Sequence, residues 1–155
     1  MLLSVLVVGL AGLGTELLFL AHDESAAQLI APVLVGVGLL TICWHLVHGG
    51  SASVRALQIT MALFVAAGVL GIGFHYSANV AFQREMDPSI RGMALFWKAM
   101  AAKTPPALAP GSMTQLGLLG LTYAFRHPAL RRRGAAVDPP HNDDRTSGRP
   151  TKEMQ

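Results

Sequence analysis

Four side chains, His22, Glu24, His75 and Glu85, are of the types that hold a divalent metal. An imidazole supplies a neutral nitrogen donor and a carboxylate offsets the charge of the ion. No HExxH or CxxC brings them together locally, so the set depends on a fold that carries two helix ends to one level. Glu16, Asn79, Gln83 and Gln115 are the polar residues nearest to them in the expected arrangement. The plainer use of the same residues is a hydrogen-bonded cluster that ties helix ends together, with Glu16 neutral or packed because a charge is costly in an apolar span.

A second place for chemistry is His45 and His48, an i, i+3 pair beside Trp44, which are candidate cofactor-binding residues. A haem there needs an axial histidine on a facing helix at the same depth, and His127 is the one available. A divalent metal is therefore the first cofactor to consider and haem the second. The plainer reading is a polar helix end anchored at an interface. Nucleophilic catalysis finds no support: Ser112, His75 and Asp87 lack a GxSxG elbow, and "GLAGLG" (9–14) lies inside an apolar run. No catalytic residue is assigned, and the reading leans away from an enzyme.

The elements that position these residues follow from the apolar pattern. Of 155 residues, 52% are hydrophobic and 14% charged, well below the roughly 25% charge of a soluble domain. Runs of about 20 apolar residues cross a hydrocarbon core. Four such spans are expected, over about 1–21, 29–47, 56–76 and 106–126, within a membrane domain 1–128. A soluble domain of this size has too little interior to bury such helices on every face. The first run lacks the basic flank and small-residue cleavage pattern of a signal peptide.

The stretch "GIGFHYSANVAFQREMDP" (71–88) ends the third run in a group of polar residues, and Asp87 followed by Pro88 reads as an N-cap with proline at the first helical position. An amphipathic interfacial helix is expected over 88–102, with Ile90, Met93, Ala94, Phe96, Trp97 and Met100 on one face and Trp97 at headgroup level. The fold class is thus all-α, an integral membrane four-helix bundle with an interfacial helix between helices 3 and 4. Pro105, Pro106 and Pro110 disfavour regular helix before Ser112. The 15 residues from Ser112 to Arg126 then rise about 22 Å, short of the roughly 30 Å core, so either Pro106 starts a kinked helix or "PPALAPG" enters the membrane as a broken segment.

Charge adds orientation. Residues 1–127 hold six Lys/Arg against five Asp/Glu and residues 128–155 six against four, with Arg131, Arg132 and Arg133 as the cluster. A three-arginine run after an apolar helix reads as a cytoplasmic anchor near anionic lipid, not as a nucleic-acid surface. Both termini are then cytoplasmic, and 129–155 is expected to be a disordered tail. Cys43 lies in an apolar span and carries no redox message. Small residues four apart, Ala62 and Ala66, Ala67 and Gly71, Gly120 and Ala124, together with further glycines such as Gly68 and Gly117, suit close helix approach in lipid.

"FHYSANVAFQREMDPS" with "ALFW", and "PALAPGSMTQLGLLGLTYAFRHP", together about a third of the chain, resemble a group of short, uncharacterised bacterial multi-pass integral membrane proteins. The resemblance implies a bacterial inner-membrane protein and supplies no activity. Three functions follow as expectations. The first is a non-catalytic scaffold or accessory subunit, whose partners are the lipid bilayer and another membrane protein or a second copy as homo-oligomer. The second is an outward-facing metal, haem or lipidic-cofactor protein serving redox chemistry. The third is a small transporter or channel component using Glu16, Gln115 and the broken span.

Overall fold

The computed structural model describes residues 1–19, 26–102 and 108–130. Helix α1 spans Leu2–Phe19, α2 Ala26–His48, α3 Ser51–Met86, α4 Gly92–Met100 and α5 Ala109–Ala124. A further helical turn begins at 128–130. The expectation of a four-helix bundle is therefore corrected: the described residues form an all-α assembly of more than four helices, with α3 as the hub against which α2, α4 and α5 pack. Three of them, in α1, α2 and α3, are long and apolar enough to cross a membrane. The expected fourth span is α5, whose 16 residues rise about 24 Å and fall short of the roughly 30 Å core.

The long helices pack through narrow inward stripes. Buried positions are Leu6, Leu10, Leu13 and Leu17 in α1, and Val54, Leu57, Met61, Phe64 and Gly68 among those of α3. In α5 they are Pro110, Met113, Gly117, Gly120 and Ala124. Spacings of three and four alternate in all three, the seam geometry of helices crossing at a shallow angle. Only 22%, 22% and 28% of the span windows in α1, α2 and α3 are buried. Large apolar side chains such as Val8, Leu40, Leu46, Val69 and Leu70 stand on the outside. Water would oppose so much exposed apolar surface, which is the composition of helices that face lipid.

The turns decide which side chains meet. Gly49, at φ +57, takes the left-handed conformation that ends helices, and its N–H donates to the His45 carbonyl at 2.8 Å. The α2–α3 connection is consequently tight and sets the end of α2 beside the start of α3. Helix α3 then runs for 36 residues, about 54 Å, well past the expected 56–76, because no proline interrupts it before Pro88. Asp87 and Pro88 do not start a helix, as the spacing suggested. Asp87 is extended, at φ −142 and ψ 93, and closes α3, since a residue before proline is pushed out of the helical region. Helix α4 begins only at Gly92.

The inward face of α4 also differs from the expectation. Leu95 and Ala99 are buried, together with Ile90 just before the helix, whereas Met93 and Trp97 are 67% and 64% exposed. The small and aliphatic residues pack on α3, leaving the larger side chains outside. Proline 110 does not delay the last helix to Ser112: α5 starts at Ala109 with Pro110 in its first turn, where an N–H has no intrahelical acceptor anyway. Pro105, Pro106 and the rest of 103–107, like the arginine cluster and the tail from 131 onward, lie outside the described residues.

Candidate functional site

The antiparallel hairpin of α2 and α3, with α1 and α5 beside it, gives the bundle two ends of different construction. At one end, His45 is buried at 6% exposure. Its Nδ1 lies 3.2 Å from Ser53 Oγ and its Nε2 lies 2.9 Å from Tyr123 Oη. Ser53 donates its own proton to the Gly50 carbonyl at 2.8 Å, so its oxygen is left to accept from Nδ1–H. Nε2 is then the acceptor for the Tyr123 hydroxyl, which assigns the neutral Nδ1–H tautomer from the network. One imidazole thereby joins α2, α3 and α5.

His127 closes over this contact. Arg126, at φ +52, turns the chain past the end of α5. The His127 ring then sits edge-on to His45, with centroids 5.2 Å apart. Its Nδ1 accepts from the Ala129 N–H at 3.3 Å. Gln58 Nε2 donates to the Ala124 carbonyl at 3.2 Å, satisfying one of the acceptors at the end of α5. His45 and His48, paired in the sequence, part company here: His48 is exposed and its Nδ1 faces the Trp44 carbonyl at 3.4 Å. A metal or haem at His45 would have to displace Ser53 or Tyr123.

At the other end the helices spread and leave a cleft of about 670 Å³. Helices α1, α2, α3 and α5 all contribute to it, through Leu17, Leu34, Leu63, Ala67, Gly71 and Met113 among others. Gln28 and His75 are the polar residues of its described lining. Of the candidate metal ligands among the described residues, His75 belongs to this lining and Glu85 does not. Among the described residues no group of three or more His, Cys, Asp or Glu side chains is placed to hold a metal. Helix α3 continues through both His75 and Glu85, separating them by about 15 Å along its axis. His22 and Glu24 lie outside the described residues.

The remaining polar residues go to two other places. Asn79 Nδ2 donates to the Ala99 carbonyl at 3.1 Å, meeting one of the last acceptors of α4, and Tyr76 stands 6.0 Å from Phe96 between ring centroids. Both hold α4 to α3. Gln83 is half-buried on the next turn. Glu16 and Gln115 share a separate groove between α1 and α5 of about 440 Å³, with Ser112 and Gly9. Sequence reasoning named His127 only as the other candidate on the side of His45 and missed Ser53, Tyr123 and Gln58, whose signal was topological. Antiparallel helices joined by a tight turn set residues 53 and 123 opposite the end of α2.

The arrangement defines an all-helical protein with three candidate membrane-spanning helices, which supports membrane association. Compared with protein-family models, curated proteins and solved structures, the chain finds no match. Of the resemblance read from its motifs, the all-helical, candidate multi-span class is the part the structure supports.

Proposed function

We propose that this chain is a non-catalytic accessory or scaffold protein of the bacterial inner membrane, and that it binds another membrane protein through its outward helix faces. The observation that carries this reading is the use made of its polar side chains. His45, Ser53, Tyr123, Gln58 and Asn79 each join one helix to another or close a helix end. Such bonds fix helix positions and leave the outer faces to partners. Small residues on those faces, such as Gly12, Gly36 and Gly73, have nothing near the position of an added Cβ, so a second helix can approach closely there. In the same reading Arg55 and Arg126 mark the His45 end as cytoplasmic.

Purification of the full chain in a mild detergent, followed by crosslinking and mass spectrometry, tests the proposal. A partner membrane protein at fixed stoichiometry is the expected result. A monomer that carries a stoichiometric metal or chromophore and no partner would overturn it. Maleimide labelling of Ser51→Cys and Lys98→Cys in a Cys43→Ser background tests the orientation, and labelling of Ser51→Cys alone from outside intact cells would reverse it.

A further inference from the structure

Two polar side chains set inside apolar helices stand on the outer surface of the bundle. Glu16 of α1 and Gln115 of α5 are both exposed, and they border one groove of about 440 Å³. Among the described residues neither has a hydrogen-bond or ion-pair partner. Glu16 lies within the candidate span Leu2–Phe19, and Gln115 lies in the middle of Ala109–Ala124.

Their depth follows from how the two helices pack. Gly9 faces Leu116 and Leu6 faces Gly120, so α1 and α5 run antiparallel, with α1 starting at the His45 end. Counted along α5 from the Tyr123 contact with His45, Gln115 stands about 12 Å away, and Glu16 about 7 Å beyond it. With the His45 end at one interface, both lie within a hydrocarbon core of roughly 30 Å. Side chains tilt toward the N-terminus of their own helix, so Glu16 leans toward the level of Gln115 and Gln115 toward that of Glu16. A carboxyl and an amide directed at lipid tails lose water and gain nothing in return, and polar residues inside spans are found where another helix or a cavity meets them.

A second copy supplies what both lack. Two copies inserted in the same sense are related by a two-fold axis along the membrane normal, which leaves depth unchanged. A two-helix face packed on itself about that axis sets α1 of one copy opposite α5 of the other. A foreign helix carrying one Lys or Arg would answer Glu16 alone. Gly12, one turn before Glu16, has nothing within 4 Å of an added Cβ, which lets a facing helix come close. We infer that α1 and α5 form the face of a homodimer in which the Gln115 amide of each copy donates to the Glu16 carboxyl of the other. This pairing rests on the membrane placement proposed above and takes one outward face, leaving Gly36 of α2 and Gly73 of α3 to another protein.

The test is energy transfer between full-length chains carrying donor or acceptor dyes at the C-terminus, reconstituted in liposomes of neutral phospholipid and diluted stepwise in lipid. Expected is a saturating signal with one partner per copy. Glu16→Leu and Gln115→Leu each weaken association about tenfold, because each removes two hydrogen bonds per dimer. Glu16→Gln, which keeps an acceptor, stays close to wild type. Gly12→Leu weakens association as well, and circular dichroism verifies that every variant is folded. In a Cys43→Ser background, differently tagged chains bearing Val5→Cys and Thr122→Cys cross-link on oxidation, whereas chains bearing Leu40→Cys, on the exposed face of α2, do not. A wild type that stays monomeric would overturn the inference, as would a dimer unweakened by Glu16→Leu and Gln115→Leu in folded chains. Capture of a foreign helix by Val5→Cys in place of a second copy would overturn it too. A monomer that still holds another membrane protein would overturn the dimer and leave the accessory role standing.

Discussion

The two ends of the bundle use the same four helices and both rely on small residues, yet one is closed and the other open. At the His45 end a glycine is a place where another backbone sits. A Cβ on Gly117 would stand 2.7 Å from the Met61 carbonyl and 2.9 Å from the Val65 nitrogen, and Gly120 meets the Met61 side chain. Toward the His75 end Gly68 still packs on α5, where a Cβ would stand 2.5 Å from the Pro110 carbonyl, whereas Ala31, Ala66 and Ala67 border the cleft. A small residue in a membrane helix is thus two different devices, a contact or a void, and only what stands opposite distinguishes them.

The largest expected effect tests that distinction by sign. Gly117→Ala forces α3 and α5 apart and should cost about 2 kcal/mol. Gly73→Ala, with nothing within 4 Å of the new atom, should instead stabilise by up to about 1 kcal/mol through helix propensity. Thermal unfolding followed by circular dichroism in detergent measures both. If both substitutions stabilise, the closed seam is not as tight as described.

The imidazole contact comes next. His45→Ala removes the partner of both Ser53 and Tyr123 and should cost about 1–2 kcal/mol, while Tyr123→Phe, which removes one hydrogen bond, should cost about 0.6 kcal/mol. His48→Ala, on the exposed face of the same helix, should stay within about 0.5 kcal/mol of wild type. Equal effects at 45 and 48 would mean that the closed end is not held by this network.

A smaller effect is expected where α4 rests on α3. Asn79→Ala frees the Ala99 carbonyl and should raise amide exchange across 92–100 about fivefold, corresponding to about 1 kcal/mol of local stability. The buried Leu95 and Ala99 keep the helix in place, so global unfolding should change little. Unaltered exchange would assign the attachment to apolar packing alone.

What could be read from the sequence follows the same division. Apolar runs announced the helices of the first three spans, because length and absence of charge are local properties. The hydroxyl partners of His45 were not legible, since residues 45, 53 and 123 meet only through the Gly49 turn and the return of α5. Composition cut the third span at 76, where polarity rises. The backbone has no reason to stop there, because Ser77, Asn79 and Gln83 continue a helix that stands beside α4. Asp87–Pro88 is a stop and not a start for an equally local reason: the proline acts on the residue before it.

That stop supplies the smallest and most local prediction. The Asp87 carboxylate accepts from Ser89 Oγ at 2.6 Å and from the Ser89 N–H at 3.1 Å. The hydroxyl contact and then the amide contact of Ser89 hold its pKa below the ordinary 3.8. Because the folded value is depressed, the contribution of this turn is present above pH 3.8 and fades as pH falls through the lower folded value. Ser89→Ala removes the first of these causes, so the Asp87 carboxyl should titrate closer to 3.8, followed by its carbon-13 chemical shift in detergent. Ser89→Thr, which keeps the hydroxyl, should leave it low. If the alanine and threonine variants titrate alike, the side-chain hydrogen bond does not set the acidity of Asp87, and the turn closing α3 is held by Pro88 and the backbone alone.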